Sequence, residues 1–309
     1  MSLPHPERLV IATRKSRLAL WQAEHVQAAL SARFPSCSVE LLPMSTRGDE
    51  MLGVALSEVG GKGLFIKELE EALLDGRADF AVHSIKDVPA TLKEGLAIVC
   101  IPAREDPRDA LVSRSGAPLR ELPEGARVGT SSLRRALCLR LVRPDLAIEP
   151  LRGNVDSRLR KVTEGPLDAI VLAAAGLRRL GLEGQITETL GTDDMLPAVG
   201  QGALGIEARA DASATRDALE RTRDLTTSLC VGAERAVMLA VEGNCRMPVA
   251  AHARRRGEAL HLSALLAEVD GSRLRRTERV MAWPASIDGA ALAEAERLGR
   301  DAGEELRRA

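Results

Sequence analysis

The sequence predicts an α/β fold, because strand-like and helix-like segments alternate along most of its 309 residues. Residues 9–13 form an apolar run that is typical of a buried strand, and residues 39–44 form a second one. Between them, Ala23, Val26 and Leu30 recur at the spacing of one helix face. This order favours parallel sheets flanked by helices, and the length of the chain indicates two or three domains.

A polar stretch at residues 45–63 interrupts the alternation and contains five glycines. Such a composition predicts a mobile loop. A helix follows, with Phe65, Leu69 and Leu73 on one face, and residues 79–83 are predicted to form the next strand.

A second α/β unit begins near Pro107. After a sharp turn at residues 196–202, residues 203–208 form a strand that we expect to return to the first sheet. The chain would then pass twice between two α/β domains, which would give a hinged cleft between them. The other predicted strands of this unit each lead towards a helix and lie at residues 110–113, 127–129, 147–150 and 169–172.

The third unit starts near Thr222 with an amphipathic helix that carries Leu229 and Val237 on one face. Alternating apolar residues at 260–264 indicate a strand, and Asp270-Gly271 marks a hairpin turn before a terminal helix.

The composition argues against several classes of protein. The formal net charge is −1 and aromatic residues make up only 2%, which disfavours binding to nucleic acid or to a membrane surface. The five cysteines form no CxxC pair, so a structural zinc site or a disulfide framework is not expected. No apolar run approaches the roughly 20 residues that cross a bilayer, and the first residues lack the pattern of a signal peptide. We therefore expect a cytoplasmic protein.

Arginines recur where a predicted strand gives way to a helix. Of the 43 basic residues only six are lysine, and a GC-rich genome would account for many of the arginines. A single arginine at a helix start is usually just solvated, but recurrence at equivalent positions is harder to explain in that way. The four segments are residues 14–17, 129–135, 151–158 and 173–179.

These positions favour the binding of anions. In open α/β sheets, ligands bind beyond the carboxyl ends of the strands, where helix N-termini contribute N–H groups and positive dipoles. Ser or Thr at residues 130–132 can cap the helix that follows. Because each charge-assisted hydrogen bond contributes roughly 1.5–3 kcal/mol, several arginines together would hold a ligand with many carboxylates.

Asp87 follows a predicted strand, in the sequence HSIKDVP at residues 83–89. A carboxylate placed among positive charges stays ionised and can balance a cation formed in a reaction. The alternative is a turn aspartate that pairs with Lys86. His83, in the same run, is expected to be a packed or hydrogen-bonded strand histidine.

Cys245 lies in a glycine-marked loop after the predicted helix of the third unit, in the sequence EGNCRMP at residues 242–248. An accessible thiolate there can form a carbon–sulfur bond, which suggests a covalently tethered organic group. The other four cysteines lie in apolar or element-edge contexts and are expected to be inert. The run GGKG at residues 60–63 lacks the spacing of a P-loop and is interpreted as a hinge.

At these residues the chain resembles the porphobilinogen deaminase family, whose members are also called hydroxymethylbilane synthases. The resemblance runs from the first strand to the third unit and covers nearly all of the chain. The matching segments are IATR (11–14), TRGD (46–49), GGKGLF (60–65), HSIKDVP (83–89), REDPRD (104–109), GTSSLRR (129–135), LRGNV (151–155) and PAVGQGA (197–203).

The resemblance implies an α/β fold with two lobes like those of type II periplasmic binding proteins and a small C-terminal α/β domain. The implied domains are residues 1–104 with 202–220, residues 105–201, and the cofactor-anchoring residues 221–309. The implied enzyme is a transferase of haem and other tetrapyrrole (porphyrin) biosynthesis. It condenses four porphobilinogen molecules head to tail, releases ammonia at each addition, and then hydrolyses off linear hydroxymethylbilane. We expect a cytoplasmic monomer with no metal and with no nucleic-acid or membrane partner.

By the same resemblance, a dipyrromethane cofactor is joined by a thioether to Cys245 and stays behind as a primer. Asp87 is the implied catalytic residue, which contacts pyrrole nitrogens and stabilises the positive charge formed when ammonia leaves. The implied cofactor-binding residues are Lys86, Asp87, Thr130, Ser131, Ser132, Arg134, Arg135, Arg152, Gly153 and Arg158. The residues implied for substrate binding are Arg14, Ser16, Arg179 and Gln201.

Three positions depart from the family pattern. Asn244 stands where a small residue, often glycine, usually precedes the cysteine, and Met247 stands where a β-branched residue is usual. Glu58 replaces a lysine that some relatives carry, so no role of that lysine transfers to this chain.

Two other classes of function compete with the enzyme. A non-catalytic protein that closes on a carboxylate or oxyanion would use the arginines but would not need Asp87 and Cys245 together. Nucleic-acid binding by the arginines is disfavoured by the near-zero net charge and by the scarcity of stacking aromatics.

Overall fold

A computed structural model of the protein describes residues 6–46, 66–243 and 247–308. Most of the predicted loop at residues 45–63, as well as Phe65 and Cys245, lies outside the described residues. The chain divides into two compact units, residues 1–104 with 203–228 and residues 105–202 with 229–309. The expected α/β class, with two sheet-containing lobes and a small C-terminal part, is confirmed.

The first unit is built on a five-stranded sheet in the order β2-β1-β3-β10-β4. Its strands are β1 (Arg8–Arg14), β2 (Ser38–Met44), β3 (Phe80–Ser84), β4 (Leu96–Cys100) and β10 (Leu204–Arg209). Its helices are α1 (Arg17–Arg33), α2 (Lys67–Leu74) and α6 (Ser213–Glu220). The predicted return of the strand near residues 203–208 to the first sheet is therefore confirmed.

The inner strand β1 is buried on both faces of the sheet, because its alternate side chains pack into two different cores. Ile11 belongs to a core that includes Leu30 of α1. Ala12 belongs to a second core that includes Leu73 of α2. An uninterrupted apolar run is what a strand covered by helices on both sides requires.

The second unit contains a five-stranded sheet in the order β7-β6-β8-β5-β9. Its strands are β5 (Asp109–Ser113), β6 (Arg127–Gly129), β7 (Ala147–Glu149), β8 (Ala169–Ala173) and β9 (Glu188–Thr189). Its helices are α3 (Leu133–Val142), α4 (Val155–Thr163) and α5 (Ala174–Arg179). α3 and α4 each begin within a few residues of the end of a strand, as the sequence predicts.

The expectation of parallel sheets holds for only part of each sheet. β1 pairs in parallel with β2 and β3, and β6 pairs in parallel with β7 and β8. β10 runs antiparallel to β3 and β4, and β5 runs antiparallel to β8 and β9. Parallel neighbours need a crossover connection, usually one helix. The connections from β4 to β10 and from β5 to β8 are long and contain other strands. No single crossover helix therefore determines the direction of β10 or β5.

The rest of the second unit forms a C-terminal part with α7 (Leu225–Ala240), which spans the division at Ser228, and α8 (Gly289–Arg308). Its strands form a three-stranded antiparallel meander of β11 (Val249–Arg256), β12 (Ala259–Leu266) and β13 (Arg275–Ala282). The predicted hairpin turn at Asp270-Gly271 lies between β12 and β13, where Gly271 has a φ of +86°. The division of the chain into three domains stays a prediction.

α7 and α8 approach each other closely because α8 presents glycine at two positions one turn apart. A Cβ atom on Gly303 would lie 2.6 Å from the Cβ atom of Ala240, and one on Gly299 would lie 2.8 Å from that of Ala236. A Cβ on Gly299 would also overlap the carbonyl oxygen of Ala233. The small residues therefore set the distance between the two helices.

We expect Gly299→Ala to destabilise the protein by about 1–3 kcal/mol, because α8 must move away from α7 to admit the methyl group. The matched control is Gly289→Ala at the start of the same helix, where a Cβ meets no atom within 4 Å. This control should unfold at or slightly above the wild-type temperature, since alanine favours the helix. Thermal unfolding compares the two variants, and equal melting temperatures would contradict the packing described.

Candidate functional site

Hydroxyl side chains hold the first turn of α3. The Ser132 hydroxyl caps the helix by accepting a hydrogen bond from the backbone N–H of Arg135 at 3.4 Å. The Thr130 hydroxyl accepts from the backbone N–H of Ser132 at 3.1 Å. Each hydroxyl accepts in these contacts and keeps its proton for donation to another group. The predicted cap at residues 130–132 is therefore confirmed.

Arg134 and Arg135 both point at Asp109, the first residue of β5. Arg134 donates from Nη1 to Asp109 Oδ2 at 2.6 Å and from Nη2 to Oδ1 at 3.2 Å. Arg135 donates from Nε to the same Oδ1 at 2.9 Å. The carbonyl oxygens of Leu196 and Val171 accept from the Nη1 atoms of the two arginines, at 2.7 Å and 3.0 Å respectively. All three charged side chains are buried.

The charges of this cluster explain why it is stable although it is almost completely buried. Burial alone would raise the pKa of Asp109, but the positive charges of Arg134 and Arg135 outweigh burial and hold the pKa well below its ordinary range. Asp109 is therefore ionised. The Asp109 carboxylate carries one negative charge and is shared here by two guanidiniums.

Gln201 is part of the same cluster and is fully buried. Its Nε2 atom donates to Asp109 Oδ1 at 3.1 Å and to the carbonyl oxygen of Pro107 at 2.7 Å. The segment at residues 196–202 is thereby joined to the beginning of β5. The Gln201 side chain has no exposed surface.

Arg179, at the end of α5, is held by the residue that follows Gln201. Its Nη2 atom donates to the carbonyl oxygen of Gly202 at 2.7 Å. Gly202 has a φ of +88°, and a Cβ there would overlap the carbonyl oxygen of Glu105, so this position requires glycine. Burial lowers the pKa of Arg179 to about 10, and the charge of Glu105 offsets part of that effect. Arg179 stays protonated at neutral pH, where a nearby anion would stabilise it.

Ser131 joins the starts of α3 and α4. Its hydroxyl donates to the carbonyl oxygen of Leu151 at 2.9 Å and accepts from the N–H of the same residue at 3.0 Å. Because its single proton goes to Leu151, Ser131 orders the two loops in the structure described.

Arg152, Gly153 and Arg158 lie around the start of α4. Both arginines are half-buried. Gly153 has a φ of +110°, and a Cβ there would overlap the hydroxyl of Ser157. Asn154 caps the helix by accepting from the N–H of Ser157 at 2.8 Å. The tight turn thus brings Arg152 directly to a helix start.

In the first unit, β3 runs into a short 3₁₀ turn, Ile85–Asp87. Ile85 is buried, and its N–H donates to the carbonyl oxygen of Ala203 at 3.0 Å, which fixes the turn beside β10. Asp87 is exposed and makes no hydrogen bond or ion pair with the residues that the structure describes. The alternative, a turn aspartate paired with Lys86, is therefore not observed.

Arg14 and Ser16 lie at the same edge of the first sheet as Lys86 and Asp87. Arg14 ends β1, which is the parallel neighbour of β3. Ser16 caps α1, and its hydroxyl accepts from the N–H of Ala19 at 3.4 Å. Because carboxyl ends of parallel strands meet at one edge, the four predicted residues of this unit share that edge.

His83 is buried and hydrogen-bonded, as expected: its Nε2 atom lies 2.8 Å from Glu207 Oε2. The sequence interpretation missed Glu207 and Asp109 as partners of buried cationic or basic groups. An acidic residue at the start of, or within, an apolar strand is the signal that could have found both.

Cys245, Asn244 and Glu58 lie outside the described residues. Met247 is partly buried and packs against the core formed by α7, α8 and the C-terminal sheet.

The four remaining cysteines are buried. Burial raises the pKa of the Cys37, Cys100 and Cys138 thiols, which disfavours the nucleophilic thiolate form. This agrees with the prediction that these cysteines are inert.

The described part of the chain shows neither a cluster of metal ligands nor a membrane-spanning helix. Residues 6–46, 66–243 and 247–308 contain no group of three or more His, Cys, Asp or Glu side chains that could hold a metal ion. Within those ranges, every helix is too short or too polar to cross a membrane.

The α/β fold and the buried guanidinium cluster define a protein suited to binding organic anions. Comparison with known proteins is more specific. The model of the porphobilinogen deaminase dipyromethane cofactor binding domain matches residues 9–217, and that of the porphobilinogen deaminase C-terminal domain matches residues 228–308.

Individual relatives match over almost the whole chain. The porphobilinogen deaminase of Sorangium cellulosum is 61% identical over 303 residues, which cover 98% of this chain and 99% of that protein. The porphobilinogen deaminase of Burkholderia thailandensis is 53% identical, with 98% and 90% covered. The chain therefore belongs to the porphobilinogen deaminase family. Its activity is that of a hydroxymethylbilane synthase, a transferase of tetrapyrrole biosynthesis, and its cofactor is dipyrromethane.

Two solved structures illustrate a more distant likeness. The periplasmic aliphatic sulphonate binding protein SsuA from Escherichia coli has a TM-score of 0.45 and 14% identity, with 98% of this chain and 88% of that chain covered. The VFT2 domain of Bordetella pertussis BvgS has a TM-score of 0.42 and 15% identity, with 70% and 86% covered.

We expect Asp109→Asn to lower the melting temperature by an amount that is constant from about pH 8 to pH 5 and narrows below about pH 4. The folded pKa of Asp109 lies below its unfolded value near 3.9, so its stabilisation is complete above that value and is lost as the pH falls towards the folded pKa. Thermal unfolding against pH measures the difference from wild type. The exposed Asp211→Asn serves as a control and should match wild type throughout. A difference that widens in acid would contradict this account of Asp109.

Proposed function

We propose that the dipyrromethane cofactor is joined through a thioether to Cys245 and that buried arginines of the second unit hold its carboxylates. The observation that carries this proposal is the pair of buried guanidiniums, Arg134 and Arg135, that share the single carboxylate of Asp109. The burial of the other four cysteines supports Cys245 as the attachment residue.

The chemistry of the cofactor fits this set of donors. Each porphobilinogen-derived ring carries an acetate and a propionate, so a dipyrromethane is a polyanion. Arginine forks match carboxylates in geometry as well as in charge. Arg179, whose pKa burial lowers to about 10, is a further buried cation that an anion would stabilise. A polycarboxylate therefore matches these guanidinium groups in charge and in hydrogen-bonding geometry.

The remaining cofactor-binding residues supply hydrogen bonds and backbone geometry. Thr130 and Ser132 keep hydroxyl protons that they can donate to a carboxylate. Ser131 and Gly153 shape the loops, and the charges of Lys86, Arg152 and Arg158 add to the attraction. When bound, dipyrromethane supplies the nucleophilic pyrrole carbon to which porphobilinogen units are added.

Asp87 is the proposed catalytic residue. Its carboxylate is exposed on a turn whose backbone is fixed by the bond from Ile85 to Ala203, so it is available to accept hydrogen bonds from pyrrole N–H groups. Loss of ammonia from porphobilinogen leaves positive charge on the pyrrole. A preorganised carboxylate stabilises that charge as it develops, without needing to reorient.

Substrate binding is assigned to Arg14, Ser16 and Arg179, with Gln201 contributing from its buried position. Arg14 and Ser16 share the sheet edge that carries Asp87. Cations at that edge attract the carboxylates of an incoming porphobilinogen and orient its reacting carbon.

We further propose that the enzyme is a cytoplasmic monomer without metal, nucleic-acid or membrane partners. Its proposed domains are residues 1–104 with 202–220, residues 105–201 and residues 221–309. The near-zero net charge supports the absence of nucleic-acid and membrane partners, and the three separate sheets support the three domains.

We expect the purified protein to be heavier than its sequence by two porphobilinogen units minus the two ammonia molecules released on attachment. Cys245→Ser removes the only proposed attachment atom and should abolish this excess. The buried Cys37→Ser is the matched control and should retain it. Intact mass spectrometry gives the answer, and an adduct that persists in Cys245→Ser would rule out the assigned anchor.

We expect Asp87→Ala to fold but to lose at least about 100-fold in kcat, because the charge formed on loss of ammonia is no longer balanced. Asp211→Ala, at another exposed aspartate of the first unit, should keep wild-type turnover. Steady-state rates are compared for chains that carry the cofactor. Turnover of Asp87→Ala close to wild type would remove Asp87 from the catalytic role.

A further inference from the structure

Asp109 is the residue at which the candidate groups of the second unit meet. Its Oδ1 atom accepts hydrogen bonds from Arg135 Nε at 2.9 Å and from Gln201 Nε2 at 3.1 Å. Its Oδ2 atom accepts from Arg134 Nη1 at 2.6 Å. The carboxylate is fully buried, so it does not itself touch a bound anion. Any effect of Asp109 on binding must act through the side chains that it holds.

The guanidinium of Arg135 is held at all three of its nitrogen atoms. Nε donates to Asp109 Oδ1, and Nη2 lies 2.8 Å from the same oxygen. Nη1 donates to the carbonyl oxygen of Val171 at 3.0 Å. Because the guanidinium is planar, these contacts fix the directions of its remaining N–H bonds. Donors that are oriented in advance bind an anion without the entropy cost of ordering a flexible side chain.

The negative charge of Asp109 also keeps two like charges close together. Arg134 and Arg135 are neighbours in sequence and both are buried. Repulsion between two buried cations is strong, because the protein interior screens charge less than water does. Without the carboxylate, the two guanidiniums would separate, and Arg135 would lose the orientation that the carboxylate imposes.

Gln201 contacts the Asp109 carboxylate in the interior of the protein. Its side chain has no exposed surface, and its Nε2 atom lies between Asp109 Oδ1 and the carbonyl oxygen of Pro107. A group in this position orients the carboxylate. Because the side chain is fully buried, any effect of Gln201 on a bound ligand acts through the groups that it contacts.

We propose that Asp109 is a positioning residue that holds the Arg135 guanidinium in the orientation that binds cofactor carboxylates, and that Gln201 acts through Asp109. This inference rests on the proposed function, in which Arg135 is a cofactor-binding residue. It adds a residue for which the sequence suggests no role.

The test compares Asp109→Asn with a control at the other end of the same helix. Asp145 pairs with Arg143 just after α3, with Nη2 and Oδ2 2.6 Å apart. Asp145→Asn therefore removes an aspartate–arginine pair away from the candidate site. For each purified holoenzyme, intact mass gives the fraction of chains that carry the cofactor, kinetics give KM and kcat per loaded chain, and circular dichroism monitors the fold.

Asp109→Asn should fold at the assay temperature but load about tenfold fewer chains, and its loaded chains should show a KM about tenfold higher with a smaller change in kcat. Asp145→Asn should stay within about twofold of wild type, because a partly exposed ion pair contributes little. A purely structural role for Asp109 would lower the melting temperature and leave loading and KM unchanged. That result would overturn the proposal.

A double-mutant cycle tests the role of Gln201. If Gln201 acts through Asp109, Gln201→Leu should change loading and KM by less than about twofold in the Asp109→Asn background. Effects of the two single substitutions that multiply in the double variant would instead mean that Gln201 acts independently, and would overturn this part of the proposal.

Asp109→Glu covers the case in which Asp109→Asn does not fold. It keeps the charge but displaces the carboxylate by one methylene group, so it should fold and still load poorly. Wild-type loading and KM in Asp109→Glu would overturn the proposal. Wild-type protein that carries no adduct would contradict the proposed function itself, whatever the variants show.

Discussion

Two guanidiniums and one carboxylate are buried together in the second unit, and much of the candidate site follows from how they share charge. Asp109 makes it possible to bury Arg134 and Arg135 side by side, because its carboxylate accepts hydrogen bonds from both. The cluster is therefore stable in the folded protein. The shared carboxylate also sets the positions of the two guanidiniums relative to each other.

Backbone carbonyl groups also hold these arginines. Carbonyl oxygens of Leu196, Val171 and Gly202 accept hydrogen bonds from Arg134, Arg135 and Arg179 respectively. A neutral carbonyl satisfies a buried N–H group without cancelling the charge of the guanidinium that carries it. The backbone thus fixes the directions of the donors and leaves their positive charge in place. A turn with glycine at a positive φ, Gly202, provides one of these carbonyl oxygens.

Periodicity in the sequence predicts most of the fold, because buried strands and amphipathic helices leave strong patterns. The predicted strand at residues 127–129 agrees with β6, and the other predicted strands differ from the structure by one or two residues at their ends. Short or partly exposed strands such as β9 leave too little pattern to be found. The antiparallel direction of β5 and β10 depends on which distant strands become neighbours, and local sequence does not contain that information.

Local sequence likewise predicts only part of the candidate site. Helix caps at Ser132 and the turn with Asp87 follow from local sequence, whereas the pairing of Asp109 with Arg134 and Arg135 joins residues about 25 positions apart. A crystal structure of the cofactor-loaded protein tests the central claim most directly. We expect a cofactor carboxylate within hydrogen-bond distance of Arg135 while Asp109 still bridges the two arginines. Carboxylates held by other groups, with Arg135 in contact only with protein, would contradict the account.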